Sequence, residues 1–205
     1  MKLTLIGTGT PTPDIRRAGS SYLLDMDGDS VLIDCGPGSF RRLQEAGVKA
    51  TDINTVCLTH LHYDHCVDFA CLLLSRWDQG AGRIPELDVI GPPGTAAFTE
   101  ALVGEKGAFN PDLEARTLHP MSHEVYEERG GVLPRERPHS RVTEVVGGSS
   151  VARNRWRLTA TEVVHAQPYI TCLAYRIEAS GKSIVFGGDT APVHGFFIWQ
   201  RERGW

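Results

Sequence analysis

The sequence predicts an α+β domain built from layers of short strands and helices. Extended runs flank the turn Met26-Asp27-Gly28-Asp29 near the N-terminus, and two more flank Gly181-Lys182 near the C-terminus, as in β-hairpins. Between these hairpins, apolar runs of strand length alternate with segments whose apolar residues recur at helical spacing. Antiparallel hairpins at both ends favour α+β layers over a doubly wound parallel sheet.

Turn residues bound each predicted strand. The loop from Gly7 to Pro13, with its glycines and prolines, ends the first strand because neither a helix nor a strand tolerates this composition. The predicted strands are Lys2 to Gly7, Ser20 to Asp25, Val31 to Asp34, Thr55 to Thr59, Leu87 to Gly91, Val142 to Val146, Trp156 to Val164, Thr171 to Glu178 and Ser183 to Phe186.

Three helices are predicted from apolar spacing. The first follows Ser39 and ends at Gly47, the second follows the histidine-rich segment that ends at His65, and the third runs from about Thr95 to Val103. The apolar face of the first comprises Phe40, Leu43 and Ala46, and that of the helix between them comprises Val67, Ala70, Cys71, Leu74 and Trp77. Residues 105 to 141 contain four prolines and a Gly-Gly pair. They favour a partly helical surface excursion over a linker or a lid.

Composition indicates a soluble protein of ordinary character. With 205 residues, 41% hydrophobic content and a net charge of −4, we expect one domain over residues 1–205 and no affinity for anionic membranes. The N-terminal apolar run is too short for a signal peptide, and no run approaches the roughly 20 apolar residues that span a bilayer. Five scattered cysteines without Cys-x-x-Cys spacing indicate buried thiols in a reducing compartment, which predicts a cytoplasmic location.

The segment His60-Leu61-His62-Tyr63-Asp64-His65 predicts a metal site. It places three imidazoles and a carboxylate directly after a buried strand, and both groups are ligands for zinc and similar ions. If the extended backbone continues, His60 and His62 point to the same side, because strand side chains alternate with period two. Asp64 and His65 then lie on a turn into a helix, where they can face a second ion. A polar loop rich in histidine by chance is the weaker alternative.

Two later residues follow strands in the same way. His165 follows the apolar strand that starts at Trp156, and Asp189 follows Ser183 to Phe186 and a pair of glycines that allow a close turn. Taken alone, His165 would be read as a core histidine and Asp189 as a turn residue. With the histidine cluster present, we expect both to be ligands, and the two oxygens of Asp189 suit a bridge between two ions.

These motifs, in this order, resemble the metallo-β-lactamase superfamily, and within it the ribonuclease Z-like hydrolases. The resemblance rests on five stretches spanning residues 3 to 190: Leu5 to Pro11, Leu32 to Gly38, Thr59 to His65, Val164-His165 and Phe186 to Thr190. The histidine cluster is the specific part; the glycine-rich opening alone would be weak.

The resemblance implies a four-layer αββα sandwich with a two-metal site where the strands end. His60, His62 and His165 would bind the first ion, Asp64 and His65 the second, and Asp189 would bridge the two; Asp64 is also the expected catalytic aspartate. Asp34 would orient a histidine ligand, with a turn-forming acid as its alternative. The ions would be zinc, with manganese or iron as alternatives. Redox relatives usually carry a glutamate where this chain has His62, so the site is expected to be hydrolytic and to use a metal-bound hydroxide.

The C-terminal part departs from the family pattern. The family supplies one more histidine ligand well downstream of the bridging aspartate, and His194 is too close to Asp189 to match it. We therefore expect a C-terminally truncated or frame-shifted member that lacks the last strands of the second half. Its second metal would bind more weakly, and its exposed sheet edge would favour a homodimer.

The charge of residues 105 to 141 favours a small phosphodiester or other small ester as substrate over RNA. An RNA-binding arm needs an excess of lysine and arginine. This segment carries six basic residues against seven acidic ones: Lys106, Arg116, Arg129, Arg135, Arg137 and Arg141 against Glu105, Asp112, Glu114, Glu124, Glu127, Glu128 and Glu136. Transfer-RNA 3′ processing is the second choice. A catalytically impaired protein that acts only as a binding surface is the third.

Overall fold

The computed structural model describes residues 1–26 and 28–192, and these form two β-sheets and a set of helices. The strands are β1 Lys2–Gly7, β2 Ser21–Met26, β3 Asp29–Ile33, β4 Thr55–Cys57, β5 Leu87–Gly91, β6 Ser140–Glu144, β7 Ser150–Ala152, β8 Trp156–Glu162, β9 Leu173–Ala179 and β10 Lys182–Phe186. The helices are α1 Ser39–Glu45, α2 Tyr63–Cys66, α3 Phe69–Gly80, α4 Thr95–Val103, α5 Asn110–Leu118 and α6 Pro120–Glu128, with a 3₁₀ turn at Ala50–Asp52.

The two sheets differ in strand direction. The first has the order β1-β2-β3-β4-β5-β6, in which β1, β2 and β3 pair antiparallel and β3 to β6 pair parallel. The second has the order β10-β9-β8-β7 and is antiparallel throughout. Since parallel strands end at the same edge, the loops after β3, β4 and β5 meet at one edge of the first sheet.

Two apolar cores lie on opposite faces of the first sheet. One packs Leu32, Val56 and Val89 against helical residues such as Phe69 and Leu72. The other packs Val31 and Ile33, among others, against Trp156, Leu158, Tyr175 and Ile177 of the second sheet. This alternation along β3 is what a strand buried on both faces requires. The arrangement of helices, sheet and second sheet confirms the α+β class.

Most predicted elements are confirmed, and two are corrected. β5 and α4 have the predicted bounds, and the 105–141 segment is partly helical through α5 and α6. The strand β7 was missed because it is only three residues long. The predicted face of the second helix is confirmed in part: Ala70 is buried, and Leu74 and Trp77 pack against the core. Val67 and Cys71 are exposed instead, and Phe69, Leu72 and Leu73 are buried. The segment breaks into α2 and α3 around Val67 and Asp68, and this break shifts the helical phase.

All five cysteines are free. Cys35, Cys57, Cys66 and Cys172 are buried as predicted, while the exposure of Cys71 corrects that prediction and follows from the same change of helical phase. Among residues 1–26 and 28–192, no helix has the length and apolar character needed to cross a membrane.

Two hydrogen bonds tie the second sheet to the loop after β4. The Tyr175 hydroxyl donates to the carbonyl of Leu58 at 2.7 Å, and the Leu173 amide donates to the carbonyl of Thr59 at 3.0 Å. Both bonds are buried, and they fix the position of the loop after β4, which carries the histidine cluster, relative to strand β9 of the second sheet.

Candidate metal centre

The predicted ligands converge at the edge where β3, β4, β8 and β10 end. His60 and His62 follow β4, and His62 is the last residue before α2. Asp189 follows β10 after two glycines, of which Gly188 has a φ of +58°. β8 ends two residues earlier than predicted, so His165 lies three residues beyond the end of that strand. A turn holds it instead: its amide donates to the Gln167 side chain at 2.8 Å, and that side chain donates to the carbonyl of Val163.

Three imidazole nitrogens point at one another in the first set of ligand atoms. His62 Nδ1 lies 3.0 Å from His60 Nε2 and 3.2 Å from His165 Nε2. A single N–H at His62 Nδ1 cannot donate good hydrogen bonds to His60 and His165 at the same time. One cation between the three nitrogens would accept a lone pair from each of them. Zinc–nitrogen bonds of 2.0–2.1 Å in a tetrahedral site place ligand nitrogens roughly 3.3 Å apart, so the observed spacing fits such an ion.

A second set of ligand atoms comprises His60, His65 and Asp189. His65 Nε2 lies 3.4 Å from Asp189 Oδ1, and His165 Nε2 lies 3.6 Å from Asp189 Oδ2. One carboxylate thus faces a histidine of each set with a different oxygen, so it could contribute an oxygen to an ion in either position. The two sets share His60 and are therefore neighbouring positions.

Asp64 lies at the margin of this second set. It is buried, and its Oδ2 lies 3.6 Å from His65 Nε2. It is not a member of either set, in which the ligand atoms all lie within 4.8 Å of one another. Its backbone is fixed by close packing against Gly36, because a Cβ at Gly36 would overlap the carbonyl oxygen of Asp64. The loop after β3 and the start of α2 can approach this closely only with glycine at position 36.

Asp34 lies beneath the two sets and is almost fully buried. Its Oδ2 accepts a hydrogen bond from His65 Nδ1 at 2.7 Å, and its Oδ1 accepts one from the Thr59 amide at 2.8 Å. One His65 proton is thereby held on Nδ1, so a cation that displaces the proton on Nε2 would meet a nitrogen lone pair beside Asp189. This contact is what the predicted orienting role of Asp34 requires.

The pKa values of the neighbouring histidines His60 and His65 shift in opposite directions. Burial, followed by the neighbouring charge of His65, lowers the pKa of His60 to about 3, so that imidazole stays neutral. Burial also lowers the pKa of His65, but its contacts with Asp189 and Asp34 outweigh burial and raise it to about 10. The contact with His65 in turn lowers the pKa of Asp189 to about 2. A cation that replaced the proton on His65 Nε2 would lie beside the same Asp189 carboxylate.

The structure brings five of the six predicted ligands together above Asp34, with Asp64 at their margin, and other histidines and arginines lie apart from them. Arg16, Arg17, His119 and His139 are exposed. His123 makes a contact of 2.7 Å with the carbonyl of Thr117. His194 lies outside the described residues. Sequence reasoning missed Thr59 and Gln167, which hold His60 and His165, because a hydroxyl or amide next to a ligand carries no pattern of its own.

Comparisons with known proteins agree with this fold. Residues 14–201 match the family described as Metallo-beta-lactamase superfamily. Ribonuclease Z from Mycolicibacterium gilvum (strain PYR-GCK) is 37% identical over 196 residues, which cover 95% of this chain and 63% of that protein. The chain thus spans less than two thirds of the length of this curated relative.

Solved structures show the same fold. The metallo-beta-lactamase fold protein YhfI from Bacillus subtilis matches with a TM-score of 0.69 at 20% identity, covering 96% of this chain and 65% of that one. Human tRNase Z, short form, matches with a TM-score of 0.67 at 22% identity, covering 95% of this chain and 71% of that one. With the family match extending over most of its length, the chain belongs to the metallo-beta-lactamase superfamily.

Proposed function

We propose that this protein is a metal-dependent hydrolase that cleaves a phosphodiester or another ester. The observation that carries the proposal is the pair of adjacent ligand sets, joined by Asp189, at the edge where the strands end. Divalent ions held there lower the pKa of a bound water and neutralise charge on a phosphoryl or acyl oxygen.

The residues have distinct proposed roles at this site. His60, His62 and His165 would hold one ion through their ring nitrogens, and His65 and Asp64 would hold the second; the Asp189 carboxylate lies beside both positions. Asp34 holds the His65 proton on Nδ1. Zinc is the proposed metal because three imidazoles form the first set, with manganese and iron as alternatives.

The basic residues of the 105–141 segment are largely engaged within the protein, which supports a small substrate. Arg116, Arg129 and Arg135 converge on Asp78 at 2.9, 2.5 and 2.7 Å. Arg141 pairs with Asp88, and Arg137 donates to the carbonyls of Val103 and Gly104 at the end of α4. Each of these cations already has an acceptor within the chain. They are therefore less available to bind the phosphate backbone of a nucleic acid.

RNA processing is the second candidate, and its support is the comparison with known proteins. A relative 37% identical over 95% of this chain is named Ribonuclease Z. An RNA substrate predicts cleavage of precursor transfer RNA at its 3′ end with steep salt dependence.

The test compares His62→Ala with His139→Ala, an exposed histidine away from the ligand sets. Each purified 205-residue protein is assayed with zinc, manganese or ferrous iron on bis(p-nitrophenyl) phosphate and on a 3′-extended transfer RNA. Loss of a metal ligand should reduce turnover roughly 100-fold or more, with His139→Ala unchanged. Diester turnover without RNA cleavage would exclude the RNA candidate. No turnover with any metal would contradict the hydrolase and leave the binding protein predicted as the third choice.

A further inference from the structure

The side chain of Thr59 lies between Asp34 and His60 and is buried, with 1% exposure. Its Oγ1 lies 2.9 Å from Asp34 Oδ2, 3.1 Å from Asp34 Oδ1 and 3.1 Å from His60 Nδ1. Its backbone is fixed on both sides: the amide donates to Asp34 Oδ1, and the carbonyl accepts from the Leu173 amide. Gly188, next to Asp189, packs on the same side chain, because a Cβ there would lie 3.1 Å from Thr59 Cβ.

The direction of the protons follows from this geometry. A threonine hydroxyl has one proton to donate, and a carboxylate only accepts. The Thr59 hydroxyl therefore donates to Asp34, since two oxygens at 2.9 Å with no proton between them would repel each other. With its only proton used, Thr59 Oγ1 can only accept from His60, so the proton of the neutral His60 ring lies on Nδ1.

We infer that Thr59 is a positioning residue that fixes the tautomer and ring orientation of His60, so that Nε2 offers its lone pair to the metal centre. Asp34 then orients two histidines: His65 by direct contact, and His60 through the Thr59 hydroxyl. One buried carboxylate couples both ligand sets, and Thr59 is the link to the set that contains His62 and His165. This inference rests on the proposed metal centre, but the tautomer itself does not require a bound ion.

A hydroxyl is the feature that this role needs. Valine at position 59 has nearly the same shape but leaves the His60 Nδ1 proton without an acceptor, so the competing Nε2–H tautomer, which blocks the ligand atom, gains population. Serine keeps the hydroxyl. A structural role of the methyl group alone would reverse this order, with valine tolerated and serine not.

The first measurement is the tautomer of His60 in the metal-free wild-type chain, read from long-range ¹H–¹⁵N correlations of its ring nitrogens. The proton is expected on Nδ1; a proton on Nε2 would overturn the inference. If the wild-type chain binds no zinc, the proposed metal centre fails, and this spectrum still decides the tautomer.

The second measurement is zinc affinity by competition with a chelator for wild type, Thr59→Val, Thr59→Ser and the control Thr161→Val. Thr161 is a half-buried β8 residue whose hydroxyl makes no hydrogen bond within the described residues. Affinity should fall about 10- to 100-fold in Thr59→Val and stay near wild type in Thr59→Ser and Thr161→Val. Circular dichroism of the metal-free proteins checks that each variant is folded. Equal zinc affinity of wild type and folded Thr59→Val would overturn the inference.

Discussion

Asp34 combines an unfavourable backbone with full burial. Its φ of +59° lies in the left-handed region that residues other than glycine rarely adopt, and its side chain is buried. The Ser21 hydroxyl and the Thr59 and His65 side chains donate to its carbonyl or carboxylate oxygens. Such a conformation persists where surrounding contacts over-determine it, and it is frequent where a residue positions a functional group.

We expect Asp34→Asn to weaken zinc binding about 10- to 100-fold while the chain remains folded. The asparagine side chain keeps the size of Asp34 but has only one acceptor oxygen, so either Thr59 or His65 faces an NH₂ group and loses the acceptor that orients it. Chelator competition measures the affinity, with Asp25→Asn on the exposed side of β2 as the matched control. Unchanged affinity in Asp34→Asn would contradict the orienting role.

Asp78 joins helix α3 to the helices and loop that follow β5. Arg116 of α5, Arg129 after α6 and Arg135 of the next loop all contact its carboxylate. The Arg135 side chain is 3% exposed and lies over the Trp77 ring at 4.2 Å. Burial raises the pKa of Asp78, but the contacts with Arg135 and Arg129 outweigh burial and leave it below the usual value. The cluster fixes the 105–141 segment to the domain by charge as well as by packing.

We expect Asp78→Asn to lower the free energy of unfolding by about 2–3 kcal/mol at pH 7, because it leaves the buried Arg135 cation without its partner. The pKa of Asp78 is lower in the folded than in the unfolded chain, so its contribution is present above the usual carboxyl pKa and is lost as the pH falls below it. The difference between wild type and variant should therefore shrink on acidification below about pH 4. Urea unfolding at several pH values measures it.

Asp112→Asn is the control for this experiment. Asp112 also pairs with Arg116, but both side chains are more than two fifths exposed, at 46% and 41%. Its loss should change stability by less than about 0.5 kcal/mol at every pH. An equal effect of both variants would mean that surface charge, and not the Asp78 cluster, is responsible.

At the scale of the whole molecule, the metal centre depends on how the two sheets are held together. His60 and His62 follow strand β4 of the first sheet, whereas His165 and Asp189 follow strands β8 and β10 of the second. The hydrogen bond from Tyr175 to the Leu58 carbonyl crosses between the sheets next to the site. Within residues 1–26 and 28–192, β1 and β10 are edge strands, and the predicted homodimer stays a prediction.

We expect Tyr175→Phe to lower the free energy of unfolding by about 1–2 kcal/mol, because the buried Leu58 carbonyl loses its hydrogen bond. The matched control is Tyr22→Phe, since Tyr22 packs against Phe186 between the same sheets but its hydroxyl makes no hydrogen bond within the described residues. Chemical denaturation of the metal-free proteins measures both. A loss as large in Tyr22→Phe as in Tyr175→Phe would show that the bond to Leu58 contributes nothing specific.

Local patterns in the sequence predict most elements of this fold. β5 is an apolar run and α4 begins after the Pro-Pro-Gly turn that separates them, and both have the bounds that were predicted, with those of α4 given as approximate. The exposure of Val67 and Cys71 could not be predicted, because the break after α2 depends on the Asp68 contacts with Cys35 and Phe40, residues distant in the chain. β7 exists because β8 lies beside it, and no feature of its three residues indicates a strand by itself.

The sequence by itself determined the class of the fold, the family resemblance and the types of ligand, because these depend on apolar period and on residue chemistry at short spacing. Tertiary structure alone decided which atoms meet. That His62 Nδ1 faces His60 and His165, that Asp189 faces both ligand sets, and that Thr59 links Asp34 to His60 are consequences of packing two sheets together. Several of these contacts join residues more than a hundred positions apart, and local sequence patterns do not encode the packing that brings them together.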